Sequence, residues 1–233
     1  MANGGVILKR IMEICPHIYQ IGGNSLSSSQ DCCVYLVEGE NESVLIDAGA
    51  GGSVQQLINN MTQSDINIDA IKYIIATHGH IDHIGGLREM QLQLQARVVA
   101  HQLELPAIQE GLPHLTAADW YGVDYQKVIV DEVLKGSQTI VRVGNLQLIC
   151  LHTPGHTRGG ISVYVDTGDL RVLFGQDIHG PFNKEWGSDL KQWRNSMRTL
   201  LNLEADILCE GHFGIYQPAQ AVRKYIESYL HRY

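Results

Sequence analysis

The sequence predicts an α/β (α+β) fold in which two β-sheets pack face to face and helices cover their outer sides. Three observations predict it. Short apolar strands come in two groups, one in the first third of the chain and one after residue 128, and each group is followed by helices. With 233 residues and 44% hydrophobic content, the chain can bury a sizeable core. No internal repeat, low-complexity tract or long linker divides it, so residues 1–233 read as one domain.

The segments 18–21, 32–37 and 43–46 are rich in Val, Ile, Leu and Tyr and bounded by Gly, Asn and Glu, which is the pattern of strands. Between them, 22–30 is a polar loop too short to link domains. A helix is expected over about 54–61, a buried strand over 72–77 and another strand over 97–100. The stretch 101–110 reads as a helix interrupted by Pro106, and 113–126 as irregular or weakly helical. Strands return at 128–133, 139–143, 146–151, 161–165 and 172–174. Helices are expected over 189–201 and 218–230. In the latter Ala219, Val222, Ile226 and Tyr229 recur at helical spacing and give one apolar face.

Composition narrows the function. With 17 basic and 25 acidic residues, the net charge of −8 argues against general affinity for nucleic acid or an anionic membrane, so a small-molecule substrate is the expected partner. The first ten residues hold only a three-residue apolar run, too short for a secretory leader, and no segment approaches the length of a membrane span. Five cysteines, odd in number and scattered, do not form a disulfide framework, and a cytoplasmic location is expected.

The chemistry concentrates in His78-Gly-His-Ile-Asp-His83, directly after the strand 72–77. Residues 78, 80 and 82 alternate, so an extended backbone would send all three side chains to one side. Gly79 leaves room beside the first two, and a turn where Gly85-Gly86-Leu87 starts a helix would swing His83 toward the same point. Imidazole nitrogens and a carboxylate oxygen suit zinc, iron or manganese. Surface histidines and a helix-capping Asp82 would explain one or two of these residues, not three histidines and an aspartate in six positions. Two metals need more ligands, and three positions fit: His156 in Thr153-Pro-Gly-His-Thr157, Asp177 after Phe174-Gly-Gln, and His212 in Glu210-Gly-His-Phe213. Each follows an apolar strand and sits beside glycine.

Taken in order, Thr77-His-Gly-His-Ile-Asp-His-Ile-Gly-Gly86, Thr153-Pro-Gly-His-Thr157, Asp177 and Gly211-His212 resemble the motifs of the metallo-β-lactamase superfamily, with glyoxalase II and related hydrolases nearest in character. Leu45-Ile-Asp-Ala-Gly49 resembles its first motif, so the likeness runs from Asp47 to His212. The resemblance implies a four-layer αββα sandwich with two divalent metal ions at one edge of the sheets, zinc foremost and iron or manganese as alternatives. It implies that His78, His80 and His156 bind one ion, that Asp82, His83 and His212 bind the other, and that Asp177 bridges them. Asp47 would hold a ligand or its loop in place, or else be a plain turn residue at a strand end.

There are departures from the family pattern. Gln176 stands where the family usually has glycine before the bridging aspartate, only 21 residues follow His212, and the span between His83 and His156 is long for a compact relative. Other residues carry less. Gly-rich 48–52 lacks a following Gly-Lys-Ser/Thr and reads as a turn. Cys32, Cys33 and Cys209 read as buried apolar residues. His114, Trp120, Tyr121 and Tyr125 form either a substrate-covering loop or a hydrophobic anchor, and Arg158 either faces an anionic substrate group or is simply exposed.

The implied reaction is hydrolysis of an activated acyl bond, thioester or lactone, by a hydroxide held between the metals. Asp82 and Asp177 would anchor the metals and orient the hydroxide, and an alkoxide leaving group would need a donor such as His179 or a tyrosine, His179 being otherwise a surface residue. The rival readings are a mononuclear iron oxygenase acting on persulfides, a β-lactamase, a nuclease and a non-catalytic metal-binding sensor.

Overall fold

A computed structural model describes residues 11–233. The short apolar run at the N-terminus lies outside the described residues. The strands are β1 (Met12–Cys15), β2 (Ile18–Gln20), β3 (Tyr35–Glu38), β4 (Ser43–Ile46), β5 (Ile71–Ile75), β6 (Arg97–His101), β7 (Glu132–Leu134), β8 (Gln138–Val143), β9 (Leu146–His152), β10 (Ile161–Thr167), β11 (Leu170–Gln176), β12 (Ile207–Glu210) and β13 (Ile215–Tyr216). The helices are α1 (Val54–Thr62), α2 (Ile81–Ile84), α3 (Leu87–Leu94), α4 (Leu105–Ile108), α5 (Pro113–Thr116), α6 (Ala118–Tyr121), α7 (Leu190–Leu201) and α8 (Ala219–Arg232).

β1 to β7 form one sheet in sequence order, and the second sheet runs β13-β12-β11-β10-β9-β8. Strand alternation builds the layers. Along β3, β4 and β5, residues Leu36, Leu45 and Ile74 face one core with Leu57, Met61 and Met90 of α1 and α3. Their neighbours Tyr35, Val37, Val44, Ile46, Tyr73 and Ile75 face the other way and meet Val163, Val172 and Phe174 of the second sheet. That sheet's far side, Leu173 and Leu208, packs on Trp193, Met197, Val222 and Ile226 of α7 and α8. The central strands are therefore apolar on both faces, and the result is the expected αββα sandwich. Among the described residues no helix is long and apolar enough to cross a membrane.

Several elements differ from expectation. β1 and the two-residue β13 carry too few apolar residues to announce themselves. Regular pairing of the 32–37 segment begins only at Tyr35, because Cys32 and Cys33 donate their backbone N–H groups to Asp82 and Gly211 instead, at 3.2 and 2.6 Å. Pro106 does not interrupt a helix. It lies in the first turn of the short α4, where a missing N–H costs nothing. The 128–133 segment is a strand only from Glu132; Val128 and Val130 are buried, but against the helix-side core of the first sheet rather than in a ladder. The extended backbone expected through Asp82 stops at His80, which caps α2, so Asp82 and His83 sit on a helical turn.

β4 and β5 are parallel, as are β11 and β12, so the C-terminal ends of these pairs lie at one edge of the sandwich. The edge is tied across the sheets. Cys33 N donates to Gly211 O, and Ile161 N donates to Thr77 O at 2.9 Å. Glu104 adds a third tie. Its buried Oε1 accepts from Thr157 Oγ1 and Gly159 N, both at 2.7 Å, and its carboxylate also takes the N–H of Gly79. One carboxylate thus joins the 77–80 turn to the 153–160 turn. A Cβ on Gly79 would lie 2.7 Å from Glu104 Oε2 and 2.4 Å from Ala107 Cβ, so the room at Gly79 serves this tie.

Burial raises the Glu104 carboxyl to about 7, and the three donors only partly offset it. A folded-state value above the unfolded one means a stability contribution present at low pH and lost as pH rises toward 7. Glu104→Gln cannot ionise. The stability of the wild-type protein relative to this variant should therefore fall between about pH 4.5 and pH 7, by an amount of order 3 kcal/mol. Urea midpoints for both proteins across this range provide the measurement. A pH-independent difference would show that Glu104 is not held in this way.

Candidate metal centre

Seven of the eight residues singled out as catalytic or metal-ligating converge at that edge, and the eighth, His179, lines the same cavity. His78 and His80 come from the turn after β5, Asp82 and His83 from α2, His156 from the turn after β9, Asp177 from the end of β11 and His212 from the turn after β12. They form two groups. In the first, His78 Nε2 lies 3.1 Å and His156 Nε2 2.9 Å from His80 Nδ1. In the second, His212 Nε2 lies 3.1 Å from Asp82 Oδ2 and 3.4 Å from His83 Nε2. Asp177 stands between them. Its Oδ2 is 3.5 Å from His156 Nε2 and 4.0 Å from His78 Nε2, and its Oδ1 is 3.2 Å from His83 Nε2 and 3.4 Å from His212 Nε2.

Hydrogen-bond accounting fixes where the protons are. Asp47 Oδ2 accepts from Thr77 Oγ1 at 2.8 Å and from His83 Nδ1 at 2.7 Å, so His83 turns Nε2 inward, bare only once a cation has displaced the proton that the neighbouring carboxylates hold there. Thr77 has spent its hydrogen on Asp47 and can only accept at its 3.1 Å contact with His78 Nδ1, which leaves His78 Nε2 bare as well. His156 Nδ1 donates to Pro181 O at 2.8 Å, with the same consequence. Nitrogen lone pairs at about 3 Å repel unless a proton or a cation lies among them. The centre also leaves Asp177 Oδ1 buried without a hydrogen-bond partner, and His80, whose Nδ1 faces the other imidazoles, has no partner for Nε2 on its far side. These donors suit a divalent metal ion, and the outward hydrogen bonds are the kind that orient ligands around one.

Electrostatics agree. Burial, reinforced by neighbouring imidazoles, holds His78 and His80 well below the usual histidine range, and burial brings His156 down to about 4, so these three are neutral. Burial alone would raise Asp82, but His83 and His212 outweigh it and bring the carboxyl down to about 2. Burial likewise opposes charge on His212, yet Asp177 and Asp82 lift it to about 10. Without a metal, the second group holds its protons; a cation would have to displace them.

Asp47 resolves as a positioning residue rather than a plain turn. It adopts φ +64°, and its Oδ1 also accepts from Thr77 N at 2.7 Å. Gln176 adopts φ +49°, the left-handed conformation that a glycine there would take freely. Its amide donates to Thr153 Oγ1 at 3.2 Å, which offsets part of the backbone cost.

Four residues not read as functional support the centre. Glu210, fully buried, accepts from His212 N and Phe213 N at 2.7 and 2.9 Å through Oε2 and faces His179 Nδ1 at 2.9 Å through Oε1. Tyr35 OH donates to Glu210 O at 2.6 Å. Glu104 ties two ligand turns, and Trp186 lays its ring 4.5 Å from that of His80. Glu210 lies two residues before His212, a spacing visible in the sequence; Glu104 and Trp186 gave no local signal.

Of the lesser candidates, Tyr121 lines the cavity with Asp82, and the Trp120 ring lies tilted against that of Trp186, centroids 4.8 Å apart, so the 113–126 segment does cover the site. Tyr125 is an anchor, donating to Ile108 O, and His114 and Arg158 are exposed. All five cysteines are buried and free, and Cys32 lies against Asp47 and His83.

Similar proteins share this arrangement of the chain. A metallo-β-lactamase fold-containing protein, ST1585, of Sulfurisphaera tokodaii is 26% identical over 88% of this chain and 81% of its own length. The hydroxyacylglutathione hydrolase GloC of Haemophilus influenzae is 27% identical over 82% of this chain and 89% of its own length. Among solved structures, a B3 metallo-β-lactamase with an active-site glutamic acid superposes with a TM-score of 0.81 at 21% identity, covering 95% of this chain and 88% of that one, which establishes the shared fold. The model of the metallo-β-lactamase superfamily matches residues 31–212, the span that holds every residue of the two donor groups, and this chain belongs to that superfamily.

Proposed function

We propose that this protein is a dinuclear metal-dependent hydrolase of an activated acyl bond, a thioester or a lactone. His78, His80 and His156 would hold one divalent cation, and Asp82, His83 and His212 the other. One observation carries the reading: Asp177 presents one carboxylate oxygen to each group of nitrogens. A mononuclear oxygenase would need only the first group, whereas here the second is equally assembled and has its own supporting carboxylate, Asp47. The relative named as a hydroxyacylglutathione hydrolase supports acyl hydrolysis. Zinc, iron and manganese all accept these donors, zinc being the first expectation.

Bound in this centre, the cations would supply Lewis acidity, lowering the pKa of a water and polarising the acyl carbonyl. The chain does the rest. Asp47, Thr77 and the Pro181 carbonyl hold three imidazoles with their bare nitrogens inward. Asp82 and Asp177 would balance the cationic charge. His179, backed by Glu210, lines the cavity where it can donate to a leaving oxygen. A leaving thiolate needs no such donor.

Protein loaded separately with zinc, iron and manganese should retain two equivalents per chain by elemental analysis. It should hydrolyse thioesters or lactones in a panel that also holds phosphodiesters and β-lactams. One equivalent at saturation, or efficient cleavage of phosphodiesters with no acyl hydrolysis, would overturn the assignment.

Asp177→Asn tests the bridge. Asparagine matches the shape but loses the charge, and a neutral amide joins two cations poorly. Changes outside the ligand set already cost metal sites about 10–100-fold, so this variant should lose metal from at least one position and drop kcat by more than about 100-fold, with a smaller rise in KM. Its melting temperature in the metal-free state should stay close to that of the wild type. Normal metal content with normal kcat would remove Asp177 from the centre.

A further inference from the structure

The cavity over the metal centre has a composition that the metal chemistry does not require. It measures about 310 Å³, at the small end of the ~300–1,000 Å³ typical of small-molecule sites. Beyond the ligand residues, its walls are Trp120, Tyr121, Trp186, Phe213, Ala117 and Pro181, together with His179. Among the described residues no lysine or arginine lines it. Arg158, the basic residue nearest in sequence to His156, packs its side chain along Gly187 instead.

The aromatic walls stand beside both donor groups. Trp186 is buried with its ring 4.5 Å from that of His80, and Trp120 lies on it at 4.8 Å. Beside the second group, Phe213 meets the His179 ring edge-on at 4.6 Å. Both outer rings are left open to solvent: Trp120 is 66% and Phe213 58% exposed. Their positions are set by the backbone. Trp120 sits on α6, and Phe213 N is held by Glu210 Oε2 at 2.9 Å. Two exposed aromatic rings at the mouth of one small cavity gain most when a ligand covers them with apolar surface.

From this we infer the substrate class, on the basis of the hydrolase reading above: an acyl group that is uncharged and apolar, aromatic or branched, held between the Trp120–Trp186 pair and Phe213. An acyl chain ending in a carboxylate would press that anion against the Trp120, Trp186 and Phe213 rings, where no lysine or arginine side chain replaces its lost hydration.

The experiment compares phenylacetyl, acetyl and succinyl thioesters of N-acetylcysteamine, a small neutral thiol, on metal-loaded protein. The phenylacetyl thioester should show kcat/KM at least tenfold above the other two. Trp120→Ala should lower that value about tenfold, through KM, and lower the value for the acetyl thioester by a smaller factor. Phe213→Ala should act in the same direction. A second measurement follows tryptophan fluorescence while the wild type is titrated with S-phenethyl and S-carboxypropyl N-acetylcysteamine, thioethers with no bond to hydrolyse. The phenethyl compound should quench saturably with Kd at least tenfold lower. Preference for succinyl substrates, or a Trp120→Ala variant indistinguishable from the wild type, would overturn the inference and leave the hydrolase reading intact. Selective phenethyl binding without turnover of any acyl substrate would do the reverse. Equal binding of both thioethers would also overturn the inference.

Discussion

Six buried imidazole and carboxylate side chains and the half-buried His212 lie within a few ångströms of one another at one sheet edge, and the architecture has to make that tolerable. A buried polar group without a partner costs on the order of 1–3 kcal/mol, and a buried charge more. The protein meets the cost from the outside. Asp47 takes the proton of His83, Thr77 that of His78 and the Pro181 carbonyl that of His156. The inward-facing atoms of these side chains meet in one small volume that suits a cation. One bond away from that volume is left unmade, that of His80 Nε2.

This explains why so much of the fold serves five short turns. The parallel pairs β4–β5 and β11–β12 bring Asp47, the 77–80 turn, Asp177 and His212 to the same edge, each at the end of a strand buried on both faces. Cores on both sides of each sheet leave those strand ends little freedom. The turns themselves are irregular and are fixed one by one: Glu104 joins two of them, Glu210 shapes a third, and Gly155 lets the His156 turn lie against Trp193 of α7, where a Cβ would come within 2.3 Å of the Trp193 backbone. Two of these three devices are buried carboxylates accepting backbone N–H groups, the natural partners for turns whose amides have no ladder to join.

The relation to the superfamily divides along the same line. At 21% identity the B3 enzyme keeps the path of the chain, because sheet packing tolerates any apolar residue of suitable size. The metal-side turns tolerate far less. The surface over the centre is built from α6, the turn around Trp186 and Phe213, elements that neither sheet constrains, and there a shared scaffold can acquire its own selectivity.

The sequence by itself determined the layered fold and singled out candidate donor residues that the structure gathers at one edge. Near-continuous apolar runs such as 72–77 and 172–174 call for burial on both faces, and a cluster like His78 to His83 has few uses other than metal binding. It also placed α7 and α8 nearly to their ends, since Asp189 caps one and Val222 and Ile226 mark the buried stripe of the other. Weak local signals failed where tertiary contacts rule: Cys32 and Cys33 pair across the edge rather than in a ladder, and Val128 and Val130 are buried without a strand. Only the tertiary structure decided which partners orient the ligands. Glu104 and Thr157 are 53 residues apart, and Tyr35 and Glu210 are 175 apart. Sequence patterns report what one segment buries. A hydrogen bond between distant turns depends on how whole sheets stack, and no single segment encodes that.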